Sequence, residues 1–223
     1  MRTWEVRHGD CLTMLADLPA DAVIVSDPPY GMAWNTDSKR FTGGNRALRR
    51  GEGRDDWGDV TGDAEPFDPT PWLDFPKVIL WGANHYAQRL SVGTTLVWVK
   101  RHAHLYGTFL SDAEIGWQKG GHGVYCHEEP FGPASRGPEA GMRGPAHPTQ
   151  KPIGLMSWCI QRLRLEPGTL IVDPYCGSGT TGVAAIQEGH RFLGIEREER
   201  YVKIARERIA AAAAQTTLDL EAA

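Results

Sequence analysis

The sequence is poor in several things, and each shortage removes a class of explanation. Only four cysteines (Cys11, Cys126, Cys159 and Cys176) stand among 223 residues, and no two of them form a C-x-x-C pair. Such scattering argues against a disulfide framework or a zinc site and suits a reducing cytosol. No apolar run approaches the roughly 20 residues that a membrane span requires. The opening Met1-Arg2-Thr3-Trp4-Glu5 has no apolar signal region. Positive charge is short too: the net charge is −4, so any affinity for nucleic acid must come from local basic patches. What remains is globular composition, 41% hydrophobic and 23% charged, in a chain long enough for one sizeable α/β domain with its own core. The expectation is a single domain over residues 1–223, working in the cytoplasm.

Apolar runs and breakers divide the chain. Residues 4–8 read as a strand broken at Gly9-Asp10, and residues 11–18 as a helix with Leu12, Leu15 and Met14/Leu18 on one face and Asp10 as its N-cap. Residues 22–26 are the next strand. Strand, helix, strand in this order predicts a parallel sheet with a right-handed crossover. Further strands are expected at 77–81, 94–99, 113–118, 168–173 and 190–195. Helices are expected at 66–74, 84–90, 153–165 and 181–188, with a last one carrying Tyr201, Ile204, Ala205, Arg208 and Ile209 before a frayed tail at 211–223.

The segment organising the chain is Asp27-Pro28-Pro29-Tyr30, at the end of the second strand. Two prolines cannot continue a ladder or enter a helix, so the backbone leaves the sheet stiffly. Asp27, the Pro28 carbonyl and Tyr30 are thereby held at a strand's carboxyl end, where open α/β sheets bind ligands. An exocyclic amine on a nucleobase is a poor nucleophile because its lone pair is delocalised into the ring. Two acceptors, the Asp27 carboxylate and the Pro28 carbonyl, suit its two N–H groups, and Tyr30 suits stacking on a base flipped out of a duplex. A Pro-Pro turn with a surface tyrosine accounts for the same four residues.

A second cluster lies at residues 173–182, Asp-Pro-Tyr-Cys-Gly-Ser-Gly-Thr-Thr-Gly, between a strand and a helix. Gly177-x-Gly179-x-x-Gly182 followed by Glu196 also satisfies the dinucleotide fingerprint. Charge separates the readings. A pyrophosphate needs N–H groups without a neighbouring carboxylate, whereas Asp173 at the strand end suits a cationic ligand. Glu196 can accept from ribose hydroxyls in either case.

The loops carry the positive charge. Lys39, Arg40, Arg46, Arg49 and Arg50 lie in a stretch without acids, and Glu52, Asp55, Asp56, Asp59 and Asp63 follow it. A solvated loop explains such blocks. Its departure directly from the tetrapeptide favours an arm that orders on DNA phosphates. Lys100, Arg101 and His102 end a strand, and His102 and His104 lack a third partner at metal-ligand spacing, so no metal is expected. Residues 120–148 have loop composition and contribute Arg136 and Arg143.

Three segments resemble the amino-methylating DNA methyltransferases. Asp27-Pro28-Pro29-Tyr30 resembles their motif IV and Asp173–Thr180 their motif I. His147-Pro148-Thr149-Gln150-Lys151-Pro152 resembles the segment before the cofactor loop in the β class. The catalytic motif precedes the cofactor motif, which is that class's order. The resemblance implies a Rossmann-like α/β fold, with a mostly parallel sheet, helices on both faces and circularly permuted motifs, and S-adenosyl-L-methionine as cofactor. It implies catalytic roles for Asp27, Pro28, Pro29 and Tyr30. The implied cofactor contacts are Asp10 (to the adenine), Cys11, His147, Thr149, Gln150, Lys151, Asp173, Tyr175, Cys176, Gly177, Ser178, Gly179, Thr180, Thr181, Glu196 and Arg197, although Cys176 itself reads as packing. Duplex DNA is the implied substrate, contacted through loops 31–61 and 101–146, in a bacterial or phage setting. A homodimer and a cognate restriction nuclease are the partners the class suggests. Asp27 at the first motif position favours adenine N6 over cytosine N4. The rival from another class is an inactive DNA-binding or dinucleotide-binding protein.

Overall fold

Short runs of aliphatic residues build a seven-stranded sheet in the order β1-β7-β6-β2-β3-β5-β4. The strands are β1 (Trp4–His8), β2 (Val23–Ser26), β3 (Lys77–Trp81), β4 (Gly93–Val99), β5 (Ala113–Glu128), β6 (Leu170–Asp173) and β7 (Arg191–Glu196). The computed structural model describes residues 3–32, 62–107, 111–131, 133–141, 147 and 149–222. Lys39, Arg40, Arg46, Arg49, Arg50 and Arg143, expected to meet DNA, lie outside the described residues.

β1, β7, β6, β2 and β3 pair in parallel, so their carboxyl ends form one edge. Central strands of such a sheet are covered on both faces and read as unbroken apolar runs. In β2 and β3, alternate residues divide between two cores. Val25, Ile79 and Trp81 pack with α3 (Ile153–Arg162), α4 (Thr180–Gln187) and α5 (Glu199–Ala222). Ile24, Val78 and Leu80 pack with Trp72 of α1 (Thr70–Leu73), Phe75 and Tyr86. Helices therefore cover both faces, although the second cover is mostly short turns.

Four expectations change. Residues 11–18 form turns and a single 3-10 turn, Leu15–Asp17, instead of an α-helix; Asp10 still caps them, its Oδ1 accepting from the Leu12 amide at 2.9 Å. Residues 84–90 likewise form two 3-10 turns, Ala83–His85 and Ala87–Arg89. The Gly-rich region after residue 119 is not wholly loop. β5 runs to Glu128, and a second helix, α2 (Pro133–Glu139), follows. Gly120 and Gly121, at φ +81° and +69°, let β5 cross the start of β4: Thr94 pairs with Gln118 on one side and Thr95 with Val124 on the other. Strand propensity here is overridden by the ladder that β4 offers on both edges. Finally, α5 continues to Ala222, so the tail expected to fray is helical.

Candidate active site

The tetrapeptide and the glycine-rich turn meet because β2 and β6 are neighbours. Ser26, the last residue of β2, donates its hydroxyl to Asp173 Oδ1 at 2.5 Å, and both residues are buried. This bond joins the strand ending in Asp27 to the strand ending in the cofactor turn. The tetrapeptide leaves toward Gly31 and Met32, whose amides donate to Asp63 Oδ1 at 2.8 and 3.2 Å. Asp63 is buried, so it is a clasp rather than part of a solvated acidic face.

Asp27 sits in a network that joins two of the sequence motifs and adds Glu114 and Lys100 from outside them. Lys151 Nζ lies 2.6 Å from Asp27 Oδ2 and 3.0 Å from Glu114 Oε2, and donates to the Tyr30 hydroxyl at 3.0 Å. The Tyr30 hydroxyl donates to Asp27 Oδ1 at 2.5 Å. Glu114, from β5, also accepts from Lys100 Nζ at 2.7 Å. Burial raises the Asp27 carboxyl above the ordinary carboxylate range, against the pull of Lys151. At Glu114 burial works the same way, but the ammonium groups of Lys151 and Lys100 outweigh it and hold the carboxyl at about 2. Burial also keeps Tyr30 a neutral hydroxyl, well above its usual range. The Tyr30 ring fills the space that a Cβ on Gly82 would need and stacks with His85, centroids 5.1 Å apart.

The glycine-rich turn is shaped for close approach. Gly177 and Gly179 adopt φ +51° and +84°, in the region that side chains disfavour. A Cβ on Gly179 would lie 2.9 Å from the Ala205 Cα of α5. Glu196 accepts from the Gly177 and Glu198 amides, each at 2.8 Å. Asp173 accepts from the Tyr175 amide at 3.1 Å, and burial raises its carboxyl to about 6. Asp10 is paired with the Arg197 guanidinium next to the end of β1. His147 lies against the turn, 3.6 Å from where a Gly177 Cβ would be. Burial holds the His147 ring neutral, its pKa lowered to about 3, and Thr149 donates its amide to Nδ1 at 3.3 Å. Three carboxylates, Asp10, Asp173 and Glu196, thus stand near a turn whose Gly177 and Gly179 carry no side chain. That donor set fits a ligand bearing a sulfonium, an ammonium and ribose hydroxyls, and opposes a pyrophosphate.

Several expected contacts are placed elsewhere. Lys151, expected at the cofactor, is on Asp27. Gln150 is buried and donates to Glu139 Oε2 at 2.9 Å and to the Arg136 carbonyl at 3.2 Å, so it anchors α2. Tyr175 turns its ring into Phe67 and Trp72, at 5.7 and 5.9 Å. Cys11 is buried, and Cys176 is buried against Gly194. Ser178, Thr180 and Thr181 are buried behind the turn; Arg208 of α5 donates to the Ser178 carbonyl at 2.7 Å and to Thr180 Oγ1 at 3.2 Å. Of the basic residues, Arg136 is half-buried, its guanidinium lowered by burial, while Lys100 serves Glu114. His102 stacks with His104 at 5.7 Å on the surface beside Arg101. Sequence reasoning missed Ser26, Glu114 and Arg208. Only the position of Ser26, one residue before the motif, carried a signal.

A family model described as DNA methylase matches residues 127–207. YubD of Escherichia coli (strain K12) is 27% identical over 214 residues, covering 92% of this chain and 89% of its own. The type II methyltransferase M2.DpnII of Streptococcus pneumoniae is 52% identical over 65 residues, 29% of this chain and 24% of its own. Among solved structures, the M1.HpyAVI–SAM complex superposes with a TM-score of 0.55 at 20% identity, over 92% of this chain and 98% of that one. This last likeness concerns the fold.

Proposed function

We propose that the chain is an amino-methylating DNA methyltransferase, a reading supported by the match of residues 127–207 to the DNA methylase family model, and that it methylates the N6 amine of an adenine flipped out of duplex DNA. The observation that carries this reading is the Ser26–Asp173 bond, which sets Asp27 immediately beside the cofactor turn. The cofactor is S-adenosyl-L-methionine, which when bound supplies a methyl group on a sulfonium. Asp10, Asp173, Glu196 and the Gly177–Gly179 turn would hold it, with His147 and Thr149 alongside. The chain's own part in the chemistry is to orient the amine. Asp27 and the Pro28 carbonyl take its two N–H groups, turning the lone pair out of conjugation and toward the cofactor turn. With two successive prolines the segment cannot continue the ladder, so the Pro28 carbonyl leaves the sheet with the backbone. Tyr30 supplies the stacking face, and burial of the site keeps water from competing for the acceptors. The Asp at the first motif position supports adenine. Cytosine N4 presents the same two N–H groups and is the second reading.

The reading is tested with labelled S-adenosylmethionine and mixed-sequence duplex DNA, digested to nucleosides. N6-methyladenine from the wild type, and its loss of at least a hundredfold in Asp27→Ala, is the expected result. N4-methylcytosine would move the target base. Undiminished activity in the variant would remove Asp27 from the chemistry.

A further inference from the structure

Both oxygens of Asp27 are already taken. Oδ2 holds the Lys151 ammonium at 2.6 Å, and Oδ1 holds the Tyr30 hydroxyl at 2.5 Å. Each oxygen keeps a second lone pair, but a substrate amine that uses Asp27 as acceptor shares it with these two donors and is held more strongly if one of them leaves. Lys151 is the competitor of greater consequence, because it carries a full charge and only 5% of its side chain is exposed. An ammonium that leaves Asp27 for a site without a counter-charge would be stranded in a poorly solvated interior. Glu114 removes this difficulty. Its Oε2 is already 3.0 Å from Lys151 Nζ. Its other oxygen is held at 2.7 Å by Lys100, the residue after β4, so Glu114 has a second anchor whether or not Lys151 is on Asp27.

We infer that Glu114 is a positioning residue: it is the second seat of the Lys151 ammonium, and Lys151 moves onto it when the substrate amine takes Asp27. The inference rests on the reading of Asp27 given above. Lys151 then acts as a placeholder. It neutralises Asp27 while the site is without base and withdraws by a short shift of Nζ, with no net change of charge in the pocket. Glu114 lies on β5, outside the three motifs, and among the described residues its hydrogen bonds and ion pairs are with Lys151, Lys100 and Tyr30, not with the glycine-rich turn. Its loss should leave cofactor affinity intact while trapping Lys151 on Asp27.

The test begins with wild type, Glu114→Gln, Lys151→Gln and the double variant, assayed on the duplex that the wild type methylates. Glu114→Gln should lower kcat at least tenfold, with the dissociation constant for S-adenosylmethionine within twofold of wild type. Glu114→Asp, which keeps the charge, should recover most of the rate. In the Lys151→Gln background, the Glu114 change should add less than a twofold effect. An equal loss in both backgrounds, or wild-type turnover in Glu114→Gln, overturns the inference. A crystal structure of the wild type with that duplex and S-adenosylhomocysteine decides independently of the variants' folding or rates. Lys151 Nζ bonded to Glu114 and released from Asp27 supports the inference; Lys151 still on Asp27 overturns it. A wild type that methylates no base at all is a different failure, that of the functional reading itself.

Discussion

Asp173→Asn is expected to stabilise the fold at neutral pH while removing cofactor binding. Asp173 is 2% exposed, and its carboxyl is pushed from 3.8 to about 6 by burial, with the Asp27 charge adding and bonds from Ser26, Thr181 and the Tyr175 amide opposing. The folded-state value lies above that of the unfolded chain, so the folded protein binds the extra proton between about pH 4 and pH 6. Stability is therefore present below that window, falls as pH rises through it, and stays lost above it. A gap of about two pH units, at about 1.4 kcal/mol each, amounts to about 3 kcal/mol. Asparagine has nearly the same shape and no charge to bury, but gives up one acceptor, at a cost of about 1 kcal/mol. The net gain at pH 7 is then about 2 kcal/mol, or roughly 4–8 °C in Tm. Urea unfolding of both proteins at pH 4 and pH 7 compares the group directly, since the other titrations are common to the pair apart from that of Asp27, which is coupled to it. The stability difference should grow by about 2.4 kcal/mol between the two pH values, the unfolded group being already partly ionised at pH 4. A difference independent of pH would refute the electrostatic argument, and wild-type affinity for S-adenosylmethionine in calorimetry would refute the role of the carboxylate.

Two further substitutions probe the turn. Gly179→Ala forces a side chain into a left-handed residue and against the Ala205 backbone. It should cost about 2–5 kcal/mol, seen as a Tm fall of roughly 5–15 °C in scanning calorimetry; an unchanged Tm would contradict the left-handed turn. Arg208→Met removes the donors to the Ser178 carbonyl and Thr180 Oγ1. Leaving that buried carbonyl unpaired costs about 1–3 kcal/mol. Cofactor affinity measured by titration should weaken about tenfold, and affinity within twofold of wild type would show that Arg208 does not hold the turn.

Much of this was readable from local chemistry. Pro28 and Pro29 end a strand wherever they stand, Gly177 and Gly179 permit a turn that other residues resist, and Gly189 closes α4 at φ +77°. Aliphatic runs marked β2, β3, β6 and β7 because strands buried on both faces have no polar side to show. Where local preference was weak, the reading slipped. Residues 11–18 had helical spacing but are too short to hold an α-helix without a packed partner, and Gly120–Glu128 lacked strand composition but found a ladder along β4.

By itself the sequence determined that an Asp-Pro-Pro-Tyr exit and a glycine-rich turn would stand at strand ends of an α/β sheet, since both depend on backbone freedom at the residues concerned. Only the tertiary structure decided what those groups touch. Lys151 meets Asp27 across 124 positions of chain, and Ser26 meets Asp173 across 147. Such partners are chosen by sheet order and by the need of buried charges and hydroxyls to find one another, which spacing along the chain does not encode.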